Sequence, residues 1–120
     1  MTRWLVDGSN VVGARPDGWW RDRPAAFARL AGELARYARD SGDDVTVVFD
    51  GPPLDVDGHD VTVVTAPCAD DRMVELASND LYPSSFTAVT SDRDLAARLR
   101  RLGTDVTGSG SFRRLLDAGR

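Results

Sequence analysis

Four short apolar runs, rich in β-branched residues, each lead into an aspartate. Trp4-Leu5-Val6 stops at Asp7-Gly8, and Val45 to Phe49 (VTVVF) stops at Asp50-Gly51-Pro52-Pro53. Val61 to Thr65 (VTVVT) is followed by Asp70 and Asp71, and Phe86 to Thr90 (FTAVT) by Asp92 and Asp94. Apolar runs of this length bounded by Asp, Gly and Pro read as buried strands. This succession constrains the chain more than any other feature, because helical periodicity fills most of the gaps.

Pro24 opens the first helical stretch, with Asp22 or a neighbour as candidate cap. Phe27, Leu30, Ala31, Leu34, Tyr37 and Ala38 recur on one face, and Ser41-Gly42 ends it. A second helix begins near Ala69 and carries Met73, Val74, Leu76 and Ala77. A third opens at Ser91-Asp92-Arg93-Asp94, holds Leu95, Leu99 and Leu102, and closes at Gly103; Ser91-x-x-Asp94 fits the spacing of a capping box. Residues 11–22 read as a loop punctuated by Gly and Pro. Asp105-Val106-Thr107 reads as a short last strand, and Phe112, Leu115 and Leu116 mark a final helical turn or two.

Strands alternating with helices predict a single α/β domain over residues 1–120. The expected form is a mostly parallel central sheet of about five strands with helices on both faces. One link is short. About nine residues (51–59) join the second and third strands, where parallel crossovers usually take a dozen or more. Nine extended residues span roughly 30 Å, enough to run back along a ~17 Å strand. A bare-loop parallel crossover is the preferred reading. An antiparallel hairpin is the alternative, and it would put Asp70 at the wrong edge of the sheet.

In open parallel sheets, ligands bind beyond the carboxyl ends of the strands. There Asp7, Asp50, Asp70, Asp71, Asp92 and Asp94 would share one edge. Each has a plain structural reading as a turn residue or helix cap; the functional reading rests on four strand ends converging. Like charges ~4 Å apart repel by ~4 kcal/mol at an effective dielectric near 20, and a divalent cation relieves that. All-oxygen donors point to Mg²⁺ or Mn²⁺, with Asp7, Asp50, Asp70, Asp92 and Asp94 as candidate ligands. Metal ions held by carboxylates suit phosphodiester hydrolysis by a metal-activated water. Asn10, three residues past Asp7, could orient a carboxylate, a water or a phosphate, or could cap the loop. Ser9 and Ser91 could touch a metal or phosphate, or serve only in turns.

Composition removes rival chemistries. All fifteen basic residues are Arg, so no P-loop, Schiff-base or receiver-domain lysine exists. The single Cys68 excludes an intrachain disulfide and a Cys-based zinc site. The single His59 excludes a two-histidine acid–base mechanism. His59 is expected at the edge opposite the acids, and Cys68 is expected to be a packing residue. No run approaches the roughly 18 apolar residues that span a membrane, and no signal peptide is read, so a cytoplasmic protein is expected.

VDGSN (Val6 to Asn10), VVFDG (Val47 to Gly51), VVTAPCADDRM (Val63 to Met73) and VTSDRDL (Val89 to Leu95), in that order, resemble the NYN domains of the PIN-like nuclease superfamily. Their look is that of the bacterial YacP-like branch. The resemblance covers nearly the whole chain. It implies a PIN-like three-layer sandwich and a metal-dependent endoribonuclease, with Asp7, Asn10, Asp50, Asp70 and Asp92 in the catalytic site. Asp71 and Asp94 match less closely. Ser9 stands where the family commonly has an aromatic, and the chain lacks the extended C-terminal helical region of many relatives.

The expected partner is single-stranded RNA, ribosome-associated mRNA included, for a monomer or weak homodimer. Arg15, Arg21 and Arg23 flank Trp19-Trp20 in the first loop, a mixture suited to phosphate contact and base stacking. One Trp could equally staple the loop to the domain. Arg93, Arg98, Arg100 and Arg101 crowd one helix and read equally as its solvated face. The net charge of −4 omits any cations the acidic site would hold. The rival function is a non-catalytic RNA- or ribosome-binding module of the same fold. A receiver-like domain is disfavoured by the missing Lys, and a metal-dependent adhesion site by Val11.

Overall fold

The computed structural model describes residues 1–56 and 58–119. The strands are β1 (Arg3–Asp7), β2 (Asp44–Asp50), β3 (Thr62–Ala66), β4 (Phe86–Val89) and β5 (Asp105–Thr107). The helices are α1 (Gly8–Gly13), α2 (Arg23–Ser41), α3 (Ala69–Asn79), α4 (Arg93–Arg101) and α5 (Ser109–Ala118), with 3₁₀ turns at Trp19–Arg21 and Pro83–Ser85. The five strands form one sheet in the order β3-β2-β1-β4-β5, parallel throughout. Winding runs outward through β2 and β3 on one side of β1 and through β4 and β5 on the other. The direction therefore reverses between β1 and β4, where an α/β sheet opens a crevice.

Alternation along the strands divides the core in two. Val6, Val45, Val47, Phe49 and Val89 face α1, α2 and α5, meeting Val11, Phe27, Leu30, Leu34, Phe112 and Leu116. Leu5, Val48, Phe86 and Ala88 face α3 and α4, meeting Ala69, Met73, Ala77, Leu95 and Leu99. Phe27 of α2 stacks on Phe49 of β2 with ring centroids 4.4 Å apart.

The short link after β2 is a bare-loop crossover: β3 pairs parallel to β2, with Asp50 opposite Ala66. Leu54 and Val61 hold the loop against the α2-side core, and Gly51, at φ 122°, makes the turn out of β2 while its N–H donates to Ala66 O.

Three local expectations are corrected. Residues 11–13, read as loop, belong to α1, which follows β1 with no intervening turn. Two Gly and two Val in six residues give α1 poor intrinsic propensity, so packing and its cap sustain it. A Cβ on Gly8 would lie 2.8 Å from Val47 Cγ2 and nearer still to the Phe49 ring; only glycine permits this approach. The capping box at α4 does not form. Asp92 is the cap, accepting from Asp94 N at 2.9 Å and Leu95 N at 3.1 Å. The final helical turns extend to a full α5 of ten residues.

Candidate active site

Asp7 is the last residue of β1, and its side chain lies at the crevice where the winding reverses. It is only 4% exposed. Its Oδ1 accepts from Asn10 N at 3.4 Å, capping α1, and its Oδ2 accepts from the Thr90 hydroxyl at 2.8 Å. Burial pushes the Asp7 carboxyl up to about 6, the Thr90 and Asn10 bonds pull against it, and the charges of Asp70 and Asp50 push further. Thr90, 2% exposed, also accepts from Asp92 N at 3.1 Å. One hydroxyl thus ties β1, the end of β4 and the start of α4.

Asp50 ends β2. Its Oδ1 accepts from Ala69 N at 2.8 Å, supplying α3 with the cap that the Cys68 side chain does not provide. Its own N–H donates to Ser9 Oγ at 3.1 Å, which fixes Ser9 against β2. Asp70, in the first turn of α3, is pushed above the ordinary carboxylate range by burial, then by Asp92 and Asp50, with Arg98 pulling the other way. Its side chain accepts no hydrogen bond from the described residues. Asp7, Asp50, Asp70 and Asp92 therefore lie in one electrostatic field.

The other two acids turn elsewhere. Asp71 pairs with Arg98 at 3.0 Å. Asp94 is exposed on the first turn of α4, with no hydrogen bond or ion pair from its side chain to the other four. Cys68 is exposed rather than packed, because α3 begins with its side chain outside the core. His59 is exposed in the loop preceding β3.

Asn10 has a role its sequence position only partly indicates. Its Oδ1 accepts from Ser91 N at 2.9 Å and from the Ser109 hydroxyl, while Ser91 Oγ accepts from Ser109 N at 2.9 Å. Asn10, Ser91 and Ser109 thus knot α1, the β4–α4 junction and the start of α5. Ser109 (1% exposed) and Thr90 are the residues sequence reasoning missed. Thr90 was visible as the strand-end residue beside Ser91-Asp92. Ser109 carried no signal, because its partner lies 99 positions away.

Two clefts meet at Ser91. One, of about 380 Å³, is lined by Ser9, Asn10, Gly13, Ala14, Ser91 and Ser109. The other, of about 470 Å³, lies on the α4 side and includes Thr90 and Asp92. On the α2 side, Trp20 is 54% exposed with Arg21 5.9 Å from its ring centroid. Trp19 is half-buried beside Gly13 and carries Arg23 at 5.4 Å. Arg15 is engaged elsewhere, pairing with Asp117 of α5 at 2.6 Å.

The donor set is all oxygen, and the Asp7 and Asp70 carboxyls are raised by burial first and by their neighbouring acids second, costs that a bound cation would offset. Among the described residues no three His, Cys, Asp or Glu side chains converge closely enough to grip one ion. Mg²⁺ needs fewer: it keeps several waters and takes one or two carboxylates together with substrate phosphate. The residues present fit that kind of site.

No family model and no curated protein sequence matches the chain. Solved structures do. A crystal structure of Rae1 (YacP) from Bacillus subtilis superposes with a TM-score of 0.81 at 26% identity, covering 98% of this chain and 75% of that one. A point mutant of the same protein superposes at 0.82 with 26% identity, covering 98% and 76%. The chain has a YacP-like fold. No helix among the described residues is long and apolar enough to cross a membrane.

Proposed function

We propose that this protein is a divalent-cation-dependent endoribonuclease that hydrolyses phosphodiester bonds in single-stranded RNA. The observation that carries the reading is Asp7. A carboxyl buried at the sheet's reversal point, raised to about 6 and facing the fields of Asp50 and Asp70, is costly to fold and useful for chemistry. The likeness to Rae1 (YacP), spanning almost all of this chain, supports the same reading.

Asp7 and one neighbouring carboxylate, Asp50 or Asp92, would hold Mg²⁺ or Mn²⁺ together with water and substrate phosphate. When bound, such an ion supplies charge neutralisation and Lewis acidity toward the phosphoryl oxygens. The chain's own groups do the rest. Thr90 fixes the direction of Asp7. Asp70, which no donor among the described residues engages and whose proton affinity is raised, takes the proton of the attacking water. The water oxygen bonds to phosphorus as the P–O3′ bond breaks and the departing O3′ takes a proton from solvent water, leaving a 5′-phosphate and a 3′-hydroxyl. Trp20 offers an exposed ring for an unpaired base, with Arg21 and Arg23 beside it for phosphate; a duplex would keep its bases from such a platform. Asn10, Ser9 and Ser91 hold the crevice walls in register.

The test is cleavage of a single-stranded RNA with Mn²⁺ by wild type, Asp7→Asn and Asp92→Asn. Loss of cutting in both variants and in EDTA is expected. Equal cleavage by all three proteins overturns the reading. A second reading, an RNA- or ribosome-binding module that does not cut, is favoured by one observation: Asp7, Asp50 and Asp92 each cap a helix. It predicts RNA binding by wild type without cleavage, retained in Asp7→Asn.

A further inference from the structure

The chain's only side chains with a permanent positive charge are its arginines, and most of the described ones are engaged. Arg3, Arg15, Arg39, Arg72, Arg98 and Arg113 pair with carboxylates. Arg114 donates to Ser111, and Arg21 and Arg23 lie over the tryptophans as part of the proposed platform. The crowded arginines of α4 divide by direction. Arg98 turns to Asp71 of α3. Arg93 and Arg100 turn the other way and line the cleft of about 470 Å³, together with Ser91, Asp92, Val106 and Gly108. Neither has a carboxylate, ring or hydroxyl partner among the described residues.

Seven residues on a helix are two turns, so Arg93 and Arg100 share one face about 10 Å apart along the axis. In a chain with more acids than bases, two unpaired guanidinium groups facing one cleft are placed for an anion the chain does not supply. Two guanidinium groups set along one cleft two helical turns apart suit successive phosphates of a polyanion. The cleft shares Ser91 and Asp92 with the aspartate site. It also lies across β1 from the Trp20 platform, since α2 packs on β2 and α4 on β5.

We infer that this cleft is a backbone subsite of the nuclease: Arg93 and Arg100 hold the phosphodiesters flanking the bond at Asp7. The RNA strand then crosses the carboxyl edge of the sheet from the Trp20 platform to α4. The inference rests on the endoribonuclease reading above.

The experiment measures binding of a fluorescent ten-nucleotide single-stranded RNA in EDTA, across a salt series. The proteins are wild type, Arg93→Ala/Arg100→Ala, Arg93→Lys/Arg100→Lys and Arg29→Ala/Arg36→Ala. The last removes two exposed arginines of α2 with no ion pair among the described residues and matches the change in net charge. Removing two phosphate contacts should lower the salt slope by about 1.4 and weaken binding roughly tenfold at moderate salt. The Lys variant should keep the slope, and the α2 control should resemble wild type. If the Arg93/Arg100 alanine variant matches the α2 control while wild type binds and cuts RNA, the subsite is wrong and the nuclease reading stands. If wild type binds no RNA, both fall.

Discussion

The Thr90 hydroxyl donates to Asp7 Oδ2 at 2.8 Å, joining the ends of β1 and β4 where the winding of the sheet reverses. The same hydroxyl accepts from Asp92 N, so one small buried side chain aligns two of the four acids. Thr90→Val keeps the shape and removes both bonds. Leaving a buried carboxyl and a backbone N–H without this partner should cost about 1–3 kcal/mol. It should also raise the Asp7 carboxyl further, because that bond is what most opposes the effect of burial. Urea denaturation reads the first effect and a carboxyl NMR titration the second; an unmoved Asp7 titration would show that the bond does not form in solution.

Asp7 also makes stability depend on pH, and the sign is fixed. Its carboxyl titrates near 6 in the folded chain against an ordinary 3.8. Between those values the folded state keeps a proton that the unfolded chain releases, so stability falls as pH rises from about 4 to about 6. Above that the loss stays constant, on the order of 3 kcal/mol. In EDTA, Asp7→Asn should remove this fall and melt several degrees higher than wild type at pH 7. Mn²⁺ should restore wild type at pH 7 by binding the folded state and leave Asp7→Asn unmoved. Because Asp43, Asp80 and Asp117 are lowered and act with the opposite sign, thermal melts at pH 4, 5, 6 and 7 decide it by difference: the wild-type melting point should fall relative to Asp7→Asn over that range, and a difference that stays constant contradicts the burial argument.

Helix α1 makes a sharper claim about shape. Gly8 lies against Phe49 and Val47 so closely that a single methyl group has no room. Gly8→Ala should cost 1–3 kcal/mol or more through overpacking, despite the better helix propensity of Ala. It should displace Asn10 and Ser9, lowering cleavage as well as the urea midpoint. A midpoint equal to wild type would mean that α1 sits further from β2.

Much of this was readable from the chain. The strands, the long α2 with its Asp22 cap and the parallel crossover after β2 follow from apolar periodicity, turn residues and chain reach. Residues 11–13 and α5 were harder, since their helices are sustained by contact with the sheet rather than by propensity. Asp7, Asp50, Asp70 and Asp92 could be placed on one edge because strand ends in a parallel sheet share one. That Asp7, Asp50 and Asp92 each also cap a helix was not legible: Asp7 and Asp50 read as turn residues and Ser91 as the α4 cap, because the helices they cap begin where sequence pattern is weakest. Thr90 and Ser109 bind their partners across 83 and 99 positions, a separation at which local pattern carries no signal. The arginines of α4 looked alike in sequence; only the positions of α3 and β5 separate Arg98 from Arg93 and Arg100.

The adjacent tryptophans allow a prediction in which stability and binding part company. Trp19 is half-buried, with its ring 3.8 Å from where a Cβ on Gly13 would sit, so it braces the loop against α1. Trp20 is 54% exposed, meets Trp19 edge-on with ring centroids 6.1 Å apart, and belongs to neither core cluster. A surface side chain of that kind contributes within about 0.5 kcal/mol to folding, while stacking on one RNA base contributes about 1–3 kcal/mol to binding. Trp20→Ala should therefore keep the wild-type melting point and bind single-stranded RNA between about fivefold and a hundredfold more weakly. Trp19→Ala should lose stability first, with binding falling as the loop loosens. Trp20→Phe keeps a ring and should recover most of the affinity, which separates stacking from mere bulk. Paired thermal melts and RNA titrations check all three variants. Undiminished binding by Trp20→Ala would remove this side of the crevice from the RNA path and leave the strand to enter by another route.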